Sequence, residues 1–171
     1  MDLATIRAMD AADPLRDFRA RFDLPEGVIY LDGNSLGALP KVTAARIADV
    51  VAREWGQDLI RSWNRNHWIE APRRLGGKIA RLIGAQTHEV VAADSTSINV
   101  FKALSAAVQL RPNRSVILSE TGNFPTDAYM MQGLAALSGG RIEQKLLPAN
   151  DIPAALDETV AVLLLTQTHY K

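Results

Sequence analysis

An α/β fold built on a largely parallel sheet, with a helical arm ahead of it, is predicted by three observations. Beyond Gly84, short β-branched runs alternate with longer stretches of helical periodicity. Those runs are apolar on successive residues, as strands covered on both faces must be. Apolar residues make up 47% of the 171, enough for one sizeable core and too many for a disordered chain.

Taken in order, residues 2–23 carry Leu3, Ile6, Leu15, Phe18 and Phe22 at a mostly helical spacing that breaks near Asp13-Pro14, which predicts a short helical arm. Val28-Ile29-Tyr30-Leu31 is an apolar run closed by Asp32-Gly33-Asn34. Glycine and asparagine tolerate positive φ, so this reads as a strand and a tight turn. From Pro40 onward, Ala44, Ile47, Val50, Val51 and Trp55 recur at helical spacing, as do Leu75, Ile79, Leu82 and Ile83. Between these two helices lies a polar, tryptophan-rich segment, Arg61-Ser62-Trp63-Asn64-Arg65-Asn66-His67-Trp68. Strands are then expected at Val90–Ala93, Ser115–Leu118, Arg141–Leu146 and Val160–Leu165. Helices fill the intervals over about Ser97–Leu110, Pro125–Leu137 and Asp151–Leu156. The chain thus divides into an arm with its first strand and turn, residues 1–40, and an α/β domain, residues 41–171. No crossover helix follows Val160–Leu165 to cover it, so the sheet reads as unfinished and its apolar surface as prone to aggregation.

Nineteen basic residues balance nineteen acidic ones, so no global field draws the chain to nucleic acid or to an anionic membrane. Cysteine is absent, which excludes disulfides, thiolate metal sites and a cysteine nucleophile within these residues. The segment Met1–Leu24 mixes Asp and Arg and holds no long apolar run, unlike a signal peptide or membrane span, and a cytoplasmic location is the simplest expectation.

Ligands of open α/β sheets bind beyond the carboxyl ends of the strands. Two corners qualify. After Val90–Ala93 comes Asp94-Ser95-Thr96-Ser97, small polar residues where a helix begins. Free backbone N–H groups and the helix dipole there suit a phosphate, and the commoner alternative is that Asp94 or Ser95 caps the helix. After Ser115–Leu118 comes Ser119-Glu120-Thr121-Gly122-Asn123-Phe124-Pro125-Thr126-Asp127. Pro125 fits a first helical turn, leaving Phe124 at the end of the loop and Asp127 within the turn. An aromatic face beside a carboxylate suits a flat protonated heterocycle, although an ordinary helix start, with Asp127 complementing the dipole, uses the same residues. His67, His88 and His169 lack ligand spacing and no zinc motif occurs, so no metal is expected. There is no GxGxxG or GxxxxGK[ST] turn for a dinucleotide or ATP. Cations and aromatics mix in Arg61–Trp68, yet in one short segment of a neutral chain they fit a pocket border better than a nucleic-acid surface.

Three strings in this order carry a family resemblance: Tyr30-Leu31-Asp32-Gly33-Asn34-Ser35-Leu36-Gly37-Ala38-Leu39-Pro40, Asp94-Ser95-Thr96-Ser97-Ile98-Asn99, and Gly122-Asn123-Phe124-Pro125-Thr126-Asp127. With Leu165-Thr166-Gln167-Thr168-His169-Tyr170-Lys171 they make the sequence similar to the amino-terminal portion of the kynureninases. The resemblance implies an incomplete large domain of the fold-type-I pyridoxal-phosphate transferase fold. It implies a homodimeric enzyme that cleaves L-kynurenine or 3-hydroxykynurenine to anthranilate or 3-hydroxyanthranilate and L-alanine in tryptophan breakdown. Thr96 and Ser97 would hold the cofactor phosphate, Phe124 would stack on the pyridine ring, and Pro125, Thr126 and Asp127 would border it, with Asp127 near the ring nitrogen. Thr166 would be a further cofactor contact, and Asn34, Ser35, Trp63 and His67 would lie on the substrate side. The Schiff-base lysine would fall beyond Lys171, so no catalytic residue is assigned and these residues alone are expected to be inactive. Another fold-type-I lyase, such as a cysteine desulfurase relative, and a non-catalytic piece that associates with an intact subunit are the alternatives.

Overall fold

In the computed structural model, which describes residues 1–168, the chain forms two compact units, Met1–Arg74 and the residues from Leu75 onward. His169, Tyr170 and Lys171, the end of the last string above, lie outside the described residues.

The first unit begins with α1, Leu3–Ala12, whose start is capped by the Asp2 carboxylate accepting the Thr5 N–H at 2.8 Å. It stops at Asp13, ahead of Pro14 as expected, and a 3-10 turn follows over Arg16–Arg21. A two-residue antiparallel pairing comes next, β1 (Phe22–Asp23) with β2 (Leu39–Pro40), which closes a loop over residues 24–38. The expected strand Val28–Leu31 is not formed. No strand pairs with it among the described residues, and the loop instead closes on itself, the Tyr30 hydroxyl donating to the Leu36 carbonyl at 2.5 Å. Next come α2, Lys41–Asp49, a widened π turn over Val50–Trp55, and the short α3, Ser62–Arg65.

Helix α4 runs over Ala71–Ile83. Beyond it, Val90–Ala93 forms no strand and joins no ladder among the described residues, against expectation. It makes a close crossing with α4 instead. A Cβ placed on Gly76 would lie 2.1 Å from the Val90 carbonyl oxygen, so this segment runs over a notch in α4 that only glycine allows.

Three parallel strands make the sheet of the second unit in the order β4-β3-β5: β3 Val116–Glu120, β4 Glu143–Leu147 and β5 Val160–Leu164. The fold is α/β, as predicted. Only the central β3 is buried along nearly its whole length, whereas β4 and β5 are the edges of the described sheet and stay partly exposed. Helix α5, Thr96–Ala107, extended by a 3-10 turn to Leu110, precedes β3, and α6, Pro125–Leu137, links β3 to β4. Both cover one face, where Leu104, Val108, Ile117, Met131 and Ile142 form a core. On the other face Val116 and Leu118 pack with Ile152 and Val160. The helix expected at Asp151–Leu156 is two 3-10 turns, Ala149–Asp151 and Pro153–Ala155, because Pro153 has no N–H for a continuous α-helix.

Strand β5 changes sides midway. Val116 pairs with Val160 but Ile117 pairs with Val162, so Ala161 is an extra residue. The bulge turns Val162 and Leu164 toward the α5 and α6 face although Val160 faces the opposite core.

Candidate functional site

The short link from α5 to β3 forces these elements to run in opposite directions, so α5 starts on the side of the sheet where the parallel strands end. Helix α6 starts there too, directly after β3. The two corners singled out in the sequence therefore lie along one edge, where the following helices present their amino termini.

At the first corner the cap is Ser95, whose hydroxyl accepts the Ile98 N–H at 3.4 Å. Thr96 and Ser97 are the first two residues of the helix, and their N–H groups point out of its end with no carbonyl of a preceding turn to meet. Capping and anion binding thus divide between neighbours. Asp94 is held at φ +54°, with its carboxylate paired to Lys102, and the Asn99 side chain donates to the Ala93 carbonyl at 2.8 Å, bracing the turn from inside.

At the second corner α6 begins at Pro125 as predicted. Phe124 exposes 45% of its surface, and Asp127 is 9% exposed. Burial pushes the Asp127 carboxyl above its ordinary value, and among the described residues no side chain bonds or pairs with it. A cation beside this carboxylate would remove that penalty. Thr166, just past β5, donates its hydroxyl to the Asn123 Oδ1, the same atom that accepts the Phe124 N–H, so Thr166 is tied to the start of α6. Asn123 was quoted in the sequence strings without a role, yet it is 6% exposed and bonded on all sides. Ser119, a hydroxyl residue inside an apolar strand, was the only signal of this buried polar link.

Asn34, Ser35, Trp63 and His67 belong to the first unit. Asn34 and Ser35 are exposed in a turn closed by the Ser35 N–H donating to the Asp32 carbonyl at 3.2 Å. Trp63 stands edge-on to Trp68, with ring centroids 6.5 Å apart, and His67 is held at φ +57° with Nδ1 3.5 Å from Glu70. No hydrogen bond joins the 34–35 turn to Trp63 or His67 among the described residues.

The segment carrying Trp63 and His67 is anchored by buried charge that sequence reasoning missed. Glu54 accepts the Trp68 indole N–H at 2.6 Å and pairs with Arg46 at 2.6 Å and Arg53 at 3.3 Å. The Trp68 bond first, then Arg46 and Arg53, hold its carboxyl below the ordinary value against the opposing effect of burial. Asp58 is lowered chiefly by the Asn66 amide at 2.9 Å, with Arg65 at 3.0 Å adding to it. Ser62 donates to the Glu54 backbone carbonyl and accepts from the Asn66 amide, which also donates to Asp58, so one hydroxyl ties the Glu54 backbone to the Asp58 network. Among the described residues no three His, Cys, Asp or Glu side chains gather as metal ligands would, and no helix is long and apolar enough to cross a membrane.

These features define a class: an α/β chain with a parallel sheet and two helix starts at its carboxyl edge. Comparison with known proteins narrows it. The chain is 50% identical over 176 residues to the kynureninase of Deinococcus radiodurans, covering all of this chain and 42% of that protein. It is 50% identical over 169 residues to the kynureninase of Pseudomonas fluorescens and over 170 to that of Burkholderia mallei, in each case over 96% of this chain and 41% of the relative. No protein-family model matches the chain. The chain is therefore related in sequence to the kynureninases along its whole length, and it spans about two-fifths of the length of those relatives.

Proposed function

We propose that the chain supplies the cofactor corner of a pyridoxal-5′-phosphate-dependent kynureninase that hydrolyses L-kynurenine, or its 3-hydroxy form, to anthranilate, or 3-hydroxyanthranilate, and L-alanine. The observation that carries this is half identity along the entire chain to proteins named kynureninase. In this reading the whole protein is a cytoplasmic homodimer of the fold-type-I class. Residues 1–40 form its arm, and 41–171 form part of its large domain.

The residues present fit the cofactor. The buried Asp127 lacks a cationic partner among the described residues, and a protonated pyridine nitrogen would provide one. The exposed Phe124 offers a face for the ring, beside Pro125 and Thr126. The N–H groups and hydroxyls of Thr96 and Ser97 would hold the phosphate at the α5 start. Bound pyridoxal phosphate supplies an electron sink that weakens bonds to an amino-acid substrate's carbon skeleton. The task of this chain is then orientation. Phosphate and ring are gripped from two helix starts, and Asp127 keeps a proton on the ring nitrogen. Asn34, Ser35, Trp63 and His67 are assigned to the substrate on the resemblance alone.

Calorimetric titration with pyridoxamine 5′-phosphate, which needs no lysine linkage, tests the cofactor corner. Saturable binding is expected, weakened about tenfold in D127N. Binding that is absent, or indifferent to both D127N and S97A, overturns it. For the activity, the protein at its natural length should release anthranilate from L-kynurenine. Release of sulfur from L-cysteine instead would point to the desulfurase-type alternative.

A further inference from the structure

We propose that Asn123 is the positioning residue of this corner, and that it makes Thr166 a hydrogen-bond acceptor toward whatever binds there. The proposal rests on the cofactor reading above. The Asn123 amide has one workable orientation. Its Nδ2 donates to Ser119 Oγ at 2.9 Å, and its Oδ1 accepts both the Phe124 N–H, at 2.7 Å, and the Thr166 hydroxyl. Turned over, the amide would set its own N–H groups against the Phe124 N–H. Ser119 in turn donates to the Leu164 carbonyl at 2.7 Å. Every proton in the relay therefore has a direction, from Thr166 to Asn123, from Asn123 to Ser119, and from Ser119 to Leu164.

Placement gives the relay its use. The backbone ladder between β3 and β5 ends at the pair Ser119 and Leu164, and the side chains continue the connection where the strands stop pairing. One buried amide thus sets the spacing between the Phe124 backbone, which opens α6, and Thr166, which follows β5. Since Thr166 has a single hydroxyl proton and Asn123 holds it, the threonine can offer a ligand only lone pairs. The group it takes is a donor, such as a ring-borne amine or hydroxyl. An anionic oxygen is excluded.

The test uses the unaltered chain and four variants, N123A, T166V, T166S and the double variant N123A/T166V, each titrated with pyridoxamine 5′-phosphate, with amide hydrogen exchange followed at Phe124. N123A and T166V should each weaken binding about tenfold. The double variant should bind no worse than N123A, because both break one relay. T166S, which keeps the hydroxyl, should stay within about twofold of the unaltered chain. The Phe124 amide should exchange faster in N123A. T166V removes one half-exposed hydroxyl and keeps the experiment decisive even where N123A unfolds. Unchanged binding in folded N123A or in T166V overturns the proposal, as does additivity of the two. Lack of binding by the unaltered chain counts against the cofactor reading itself. In that case the exchange at Phe124 still decides the relay: protection lost in N123A supports it, and protection kept overturns it.

Discussion

The two units of this chain are held together by opposite means. From Leu75 onward the buried side chains are mostly apolar, with Ile117, Leu118 and Met131 fully enclosed between the sheet and what covers it. In Met1–Arg74 the buried residues among those described are Glu54, Asp58 and Ser62, while Phe18, Trp55 and Trp63 remain largely exposed. One unit is a product of apolar burial, which is indifferent to pH. The other depends on carboxylates keeping their charge. The chain's three tryptophans all lie at positions 55–68, so their emission reports on the second kind of unit alone.

Three substitutions would break or sharpen that contrast. Ile117→Ala should have the largest effect, destabilising the sheet by ~2–5 kcal/mol through a cavity at a fully enclosed site. Amide exchange along β3 in urea would measure it. Tryptophan emission should not move in step, and if it does, the two units are not separately held. Gly76→Ala should follow at ~1–3 kcal/mol, because the new methyl meets the Val90 backbone rather than a movable side chain. Thermal unfolding read by circular dichroism would show it. Glu54→Gln should have the smallest effect on global stability and the clearest effect on pH behaviour. Glu54 and Asp58 are held below their ordinary values, so their contribution is complete above the unfolded value of about 4 and is lost as pH falls through the lowered folded values. The unaltered chain should therefore show an acid transition in Trp68 emission. In E54Q that transition should be shallower and the neutral-pH emission shifted. An identical acid profile would remove Glu54 from the account.

Much of the sheet unit was legible from sequence because its signals are local. Pro125 at a first helical turn marked the start of α6, and three of the four strands expected beyond Gly84 formed within two residues of their reading. Val28–Leu31 and Val90–Ala93 have the same β-branched character, yet a strand needs a partner, and composition does not show one. The helix starts at Thr96 and Pro125 were legible for the same local reason. Asn123 was not, because its partner Thr166 lies 43 positions along. Glu54 was hidden likewise, since its meeting with Trp68 depends on how the chain folds back between them.

The bulge at Ala161 bears on what changes in length the chain tolerates. A substitution there alters one small side chain. Deleting the residue would leave the pairs Val116 with Val160 and Ile117 with Val162 intact and restore plain alternation, with Val162 and Leu164 still on their core and Thr166 still beside Asn123. The loss of a later residue such as Leu163 would instead turn Leu164 to the opposite face and draw Thr166 away from Asn123, so related proteins that keep both cores should vary in length at the bulge more readily than beyond it.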